Sequence, residues 1–205
     1  MGTALMIWGL TGCSGSGAST VAGVWSKLGA NVCSLDAVGH RFLGKRSVKN
    51  ELERVLSIPG MSSMSVEGIR DELRHRVFTE PEALASVNGV LHRRLKRWTA
   101  QKAHCLRGKQ GIFVLDAALI FELELWTLMD FTVTVKDCRS RCVERLVQRD
   151  GLSAETAMGR LDSQIDIGEK CLRSNFVIDN SSSLHELVKN ANNFYKYVIK
   201  RMEDL

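Results

Sequence analysis

A parallel β-sheet with helices on both faces, an α/β fold, is what this sequence predicts, and three observations predict it. The first residues read strand, loop, helix: an apolar run at 4–10, a loop of Gly, Ser, Thr and Cys at 11–17, and a helical period at 19–28. A second apolar run at 31–35 follows at once, and such alternation of strand and helix favours a parallel sheet. Short β-branched or aromatic runs recur at 111–115, 131–135 and 176–178, again alternating with helical stretches.

Val21, Val24, Trp25 and Leu28 give the first helix its apolar stripe, and Gly29 stops it. The second strand ends at Asp36. From 38 to 109 the chain is more charged and mainly helical. There Thr79-Glu80-Pro81-Glu82 is a capping box with Pro in the first turn, opening a helix towards Leu95. Asp137 is placed to cap a helix through Arg149, the turn Asp150-Gly151 follows, and another helix starts near Ser153. Ser183-Leu184-His185-Glu186 is a second capping box, and its helix carries Leu184, Leu187, Val188, Ala191, Tyr195 and Val198 on one face. Trp8, Trp25, Trp98 and Trp126 read as core or cleft wall.

A chain of 205 residues fits one domain with room for inserted lobes. With 44% hydrophobic and 25% charged residues it is globular, which excludes a disordered chain. A net charge of +5 and a pI near 9.0 suit an anionic ligand. The basic residues are scattered, which argues against nucleic acid as a partner. No apolar run is long enough to span a bilayer, and residues 1–10 lack the basic segment of a signal peptide. The expectation is a cytoplasmic protein, away from membranes, whose thiols stay reduced. Among its six cysteines (Cys13, Cys33, Cys105, Cys138, Cys142 and Cys171) there is no CxxC pair. Cys138 and Cys142 are spaced for one helical face, without further ligands to make a metal site.

The strongest local signal is Gly12-Cys13-Ser14-Gly15-Ser16-Gly17-Ala18-Ser19, between strand and helix. It has the P-loop frame G-x-x-x-x-G-K-[S/T], with Ala18 where the lysine belongs. Glycines let the backbone curl so that N–H groups point at phosphate oxygens, and a helix N-terminus adds positive partial charge. Ser19 is placed to put its hydroxyl on Mg²⁺. Ala18 lacks the ammonium that follows charge onto the β- and γ-phosphates, so transfer is expected to be slow unless another cation substitutes.

Along nearly its whole length the sequence resembles the dephospho-coenzyme A kinase family. After the loop, Ser34-Leu35-Asp36 stands at the family's D-x-D. Arg70-Asp71-Glu72-Leu73, Val77-Phe78, Pro81-Glu82-Ala83-Leu84 and Leu91-His92-Arg93 follow the pattern of its helical insert. Asp116-Ala117-Ala118-Leu119-Ile120-Phe121-Glu122 corresponds to D-V-P-L-L-F-E. Arg145-Leu146-Val147-Gln148-Arg149-Asp150-Gly151-Leu152-Ser153 resembles the lid motif, with Arg160 and Gln164 at the R-x-x-x-Q spacing. Glu169-Lys170, Arg173 and 176–181 complete the match. The departures are Ala18, Ser34, Ala118 for Pro, and Arg93 for the Pro after His92.

The resemblance implies a P-loop NTPase-like core of about 1–37, 110–138 and 174–205, a helical substrate-binding insert of about 38–109 and a helical lid of about 139–173. It implies transfer of the ATP γ-phosphoryl to the ribose 3′-hydroxyl of dephospho-coenzyme A, the last step of coenzyme A biosynthesis. Gly12 to Ser19, with Thr20, would hold the triphosphate, and Ser19 would ligate Mg²⁺. Asp36 would act as general base or organise metal-bound water, although an Asp there also reads as a helix cap. Arg145 and Arg149, four apart, would close with the lid on the transferring group, with Lys45 and Arg46 a second source of charge. Arg70, His92 and Arg93 would hold the acceptor, and Asn180 would meet the adenine. Asp116 and Glu122 would reach Mg²⁺ through water or serve as caps. The losses at 18 and 34 leave a second reading open, a non-catalytic nucleotide- or coenzyme A-binding protein; a kinase for another hydroxyl acceptor is a third.

Overall fold

Five short apolar segments become one all-parallel sheet: β1 (Met6–Gly12), β2 (Asn31–Ser34), β3 (Ile112–Asp116), β4 (Phe131–Lys136) and β5 (Phe176–Asp179), in the order β2-β3-β1-β4-β5. Both faces of such a sheet are covered, so the central β1 is buried from Trp8 to Gly12. The computed structural model describes residues 5–203, without the side chains of Arg74, His75, Val77, Phe78, Thr79, Pro81, Met202 and Glu203. Ala4 of the first expected strand, the Thr79 cap, and the Val77, Phe78 and Pro81 side chains therefore lie outside the described residues. The first strand ends two residues later than its apolar run suggests. Thr11 and Gly12 pair with Thr134 and Val135 of β4, so the neighbouring strand extends it.

Helices α1 (Ala18–Lys27) and α9 (Leu184–Glu203) pack on the sheet. Trp25 fixes one to the other: its indole Nε1 donates to the Ala191 carbonyl at 2.9 Å in the buried interior. Trp8 meets Trp25 edge-on at 5.4 Å between ring centroids, and Phe194 stacks on Trp25 at 5.5 Å. Leu10, Val21, Val114, Val133 and Leu187 fill the space around them. Ser183 caps α9 by accepting from the Glu186 N–H at 3.2 Å, as the capping box requires. Leu184 lies on the outside of that helix and does not join the core expected of it, and Trp126 is also exposed, so of its two readings core is excluded.

Three helices form a smaller body beside β4: α6 (Arg139–Asp150), α7 (Ala154–Asp162) and α8 (Ile167–Arg173). Cys142 and Leu146 of α6 pack on Ala157 and Leu161 of α7. Ser153 caps α7 and Asp166 caps α8. Asp137 does not cap α6, whose first flanking residue is Cys138. Its carboxylate is drawn inward by two arginines instead.

The chain divides into two compact units, Met1–Ser34 with Lys102–Leu205, and Leu35–Gln101. The second unit is helical: α2 (Leu35–Leu43), α3 (Arg46–Leu56), α4 (Val66–Thr79) and most of α5 (Pro81–Leu106). Val38, Leu52, Met61 and Ile69 are buried in it, and Lys49 Nζ donates to the Met64 carbonyl at 2.6 Å. Leu10→Ala, at a fully buried site of β1, is expected to lower the unfolding free energy by about 2–5 kcal/mol. Urea denaturation followed by tryptophan fluorescence measures it, and a loss below about 1 kcal/mol would contradict the packing described.

Candidate functional site

Sheets of this kind gather ligands at the carboxyl ends of their strands, and β1 ends in the glycine loop between β3 and β4. The loop turns back on itself, with the Ser16 N–H donating to the Cys13 carbonyl at 2.9 Å. Gly15 and Gly17 have φ of 84° and 98°, the left-handed region that other residues enter at a cost. A Cβ on Gly15 would stand 2.6 Å from the Cys142 carbonyl, and one on Gly17 would stand 2.6 Å from Asn180 Nδ2. Glycine is thus required twice over, by conformation and by close packing.

Three side chains hold the loop from outside. Arg145 Nη1 donates to the Gly15 carbonyl at 2.7 Å, while its Nη2 lies 2.6 Å from Asp137 Oδ2. Asp137 is buried, and Arg141 reaches its other oxygen at 2.7 Å, so one carboxylate anchors two arginines of α6. Asn180 Nδ2 donates to the Ser16 carbonyl at 2.8 Å. Because a trans peptide is planar, turning that carbonyl outward turns the Gly17 N–H the other way. Gln164 makes two bonds with Ser14, accepting from its N–H at 3.0 Å and donating to its hydroxyl at 2.8 Å.

What the loop leaves uncommitted is the other half of its geometry. The N–H groups of Gly15, Gly17, Ala18 and Ser19 have no acceptor among the described residues, as expected where a loop enters a helix. Ser16 Oγ is buried and also lacks a partner there. Ser19 is exposed in the first turn of α1, Thr20 follows it half-buried, and Cys13 lies half-buried beneath the loop. Burial pushes the Cys13 thiol up, and the Lys170 ammonium pulls it the other way.

The residues expected to act together have separate partners. Arg145 is a strut behind the loop. Arg149, one turn on, holds the carboxylate of its neighbour Asp150 at 2.7 Å. Asn180, expected at the adenine, is buried and uses its amide on the loop. Glu122 Oε1 lies 2.8 Å from Lys170 Nζ and accepts from the Ile165 N–H at 2.9 Å. In the helical unit, Asp36 is exposed in the first turn of α2 and Arg70 is exposed on α4. His92 is half-buried on α5, and Arg93 pairs with Glu51 at 2.8 Å. A hydrogen bond from Arg94, with Arg93 adding, holds the Glu51 carboxyl below its usual range. Asp137 and the buried Lys170 had no sequence signal for their roles, since nothing local marks a charged residue as buried.

Residues 6–186, most of the chain, match the family model described as dephospho-CoA kinase. The chain belongs to the dephospho-CoA kinase family. It is 33% identical over 202 residues to the dephospho-CoA kinase of Corynebacterium diphtheriae, covering 97% of this chain and 100% of that one. A solved Thermus thermophilus structure superposes with a TM-score of 0.73 at 29% identity, covering 96% of this chain and 97% of the other. The dephospho-CoA kinase of Campylobacter jejuni, at 24% identity and a TM-score of 0.69 over 96% of this chain and 98% of its own, shares the fold.

Two thiols beside the family's loop differ in chemistry. Cys138 is exposed, and hydrogen bonds from Ser140 and from Arg141, whose Nε lies 3.2 Å from the sulfur, hold its pKa below the ordinary thiol value. Cys142 is buried and its pKa is pushed up to about 12 by desolvation, with Asp137 adding. A lower pKa means more thiolate, the reactive form. Near neutral pH a maleimide is therefore expected to modify Cys138 well before Cys142, and Arg141→Ala to slow the reaction at Cys138. Peptide mapping by mass spectrometry gives the order, and equal rates at the two thiols would refute it.

Proposed function

We propose that this chain is a dephospho-coenzyme A kinase that transfers the ATP γ-phosphoryl to the ribose 3′-hydroxyl of dephospho-coenzyme A, working slowly because Ala18 supplies no ammonium. The observation that carries the reading is the curled loop with the four uncommitted N–H groups of Gly15, Gly17, Ala18 and Ser19, at the positive end of α1. Such a nest binds phosphate through backbone alone, and family membership supports ATP as the donor.

The residues then divide the work. The loop amides grip the phosphate tail and orient the γ-phosphoryl for in-line attack, where positioning and charge neutralisation do most of the catalysis. Arg145 holds the Gly15 carbonyl from the back of the loop and so keeps the amides turned towards the phosphates. Asp36 accepts the proton of the attacking hydroxyl, while Arg70, His92 and Arg93 hold the acceptor's phosphates. The oxygen donors suited to Mg²⁺ are the exposed Ser19 hydroxyl and, through water, the Asp116 carboxylate at the end of β3. The ion would supply charge compensation for the phosphates. No helix among the described residues is long and apolar enough to cross a membrane, and we place the chain in the cytoplasm with its ATP supply.

The commitment of Arg145 to Asp137 and of Arg149 to Asp150 favours a second reading, a binding protein without turnover. Purified protein with Mg-ATP and dephospho-coenzyme A, the product resolved by mass, separates the two. Slow formation of coenzyme A is expected, rising about tenfold or more in Ala18→Lys as a phosphate-facing cation is restored. Nucleotide binding without product in either protein would favour the second reading.

A further inference from the structure

Lys170 is fully buried, an uncommon place for an ammonium. It reaches from α8 to the segment after β3, donating to the Ala118 carbonyl at 2.5 Å and pairing with Glu122 Oε1 at 2.8 Å. Both partners lead to the phosphate loop. The Ala118 carbonyl also accepts from the hydroxyl of Thr11, the residue that precedes the loop. Glu122 Oε1 also accepts from the Ile165 N–H, and the neighbouring Gln164 is the residue that grips Ser14 from two sides. Glu122 Oε2 is buried without a hydrogen-bond partner among the described residues, so the directional bonding falls on the oxygen that faces Lys170 and Ile165.

A buried ion pair is a poor way to gain stability, because an apolar pair of similar volume commonly serves as well. What it does provide is direction: an ammonium and a carboxylate fix particular donors and acceptors at particular points. Here those points are two main-chain sites, one on each route to the loop.

We propose that Lys170 is a positioning residue for phosphoryl transfer. Through Glu122 and Ile165 it sets where the Gln164 carboxamide meets Ser14, and through Ala118 it steadies Thr11. Together these contacts give the loop the shape that receives the ATP phosphates. This rests on the loop being an ATP site. Lys170 itself touches no substrate; it acts through Gln164 and the loop.

The double substitution Lys170→Met with Glu122→Leu removes the pin without leaving a lone buried charge, so it is the informative variant. The single change Lys170→Met strands the carboxylate and serves as the destabilised reference. In the double variant the thermal midpoint is expected to recover towards that of the wild type. The KM for ATP should nevertheless stay raised by about tenfold, and the KM for dephospho-coenzyme A should hold within about twofold. Recovery of the ATP KM together with stability would overturn the proposal, leaving the pair a matter of charge balance alone. Amide hydrogen exchange supplies a readout that needs no turnover: Ile165 and Ser14 should exchange faster in the double variant than in the wild type. Unchanged protection at both amides would overturn it as well. If the wild type binds no ATP, the kinase reading fails on its own account, while the exchange result still decides whether the pin holds Gln164 on Ser14.

Discussion

The loop after β1 must be held open in a curl, and most of what surrounds it follows from that constraint. A curled backbone with its N–H groups facing one way is not a structure the chain keeps unaided, because its carbonyls need partners on the other side. Arg145 takes the Gly15 carbonyl and Asn180 takes that of Ser16, each from an element far along the chain. With those carbonyls satisfied, the amides of Gly15, Gly17, Ala18 and Ser19 are left without an acceptor among the described residues.

This arrangement explains how a P-loop without its lysine can keep its form. The missing ammonium belongs to the ligand side, where it meets phosphate, while the struts belong to the back. Ala18 at the lysine position therefore leaves the loop's supports in place, since they come from Arg145 and Asn180. The arginine nearest the loop is spent largely on that support, with one end on Gly15 and the other on a buried Asp137.

Much of the fold was legible residue by residue. The apolar run before the glycines, the helical stripe from Val21 to Leu28, the capping box at Ser183 and the helix start at Ser153 report local physics, and the elements form where they point. The P-loop spacing placed the candidate site for the same reason. Other positions take environments that no local pattern marks. Asp137 reads as a helix cap yet becomes a buried anchor for Arg141 and Arg145. Asn180 braces Ser16, a role no local pattern announced, and Leu184 looks like core yet faces outward. Thr11 and Gly12 extend β1 only because β4 pairs with them.

By itself the sequence determined the strand–loop–helix at the start, the alternation that makes the sheet parallel, and the family to which the motifs belong. These depend on periodicity, on glycine's conformational freedom and on spacing, all carried within a few residues. Only the tertiary structure decided which charges are buried, which arginine braces the loop and how Lys170 reaches two routes to it. Those are settled by packing and by contacts such as Arg145 with Gly15 and Lys170 with Ala118, far apart in the chain, where desolvation and partner geometry, not local preference, set the energy.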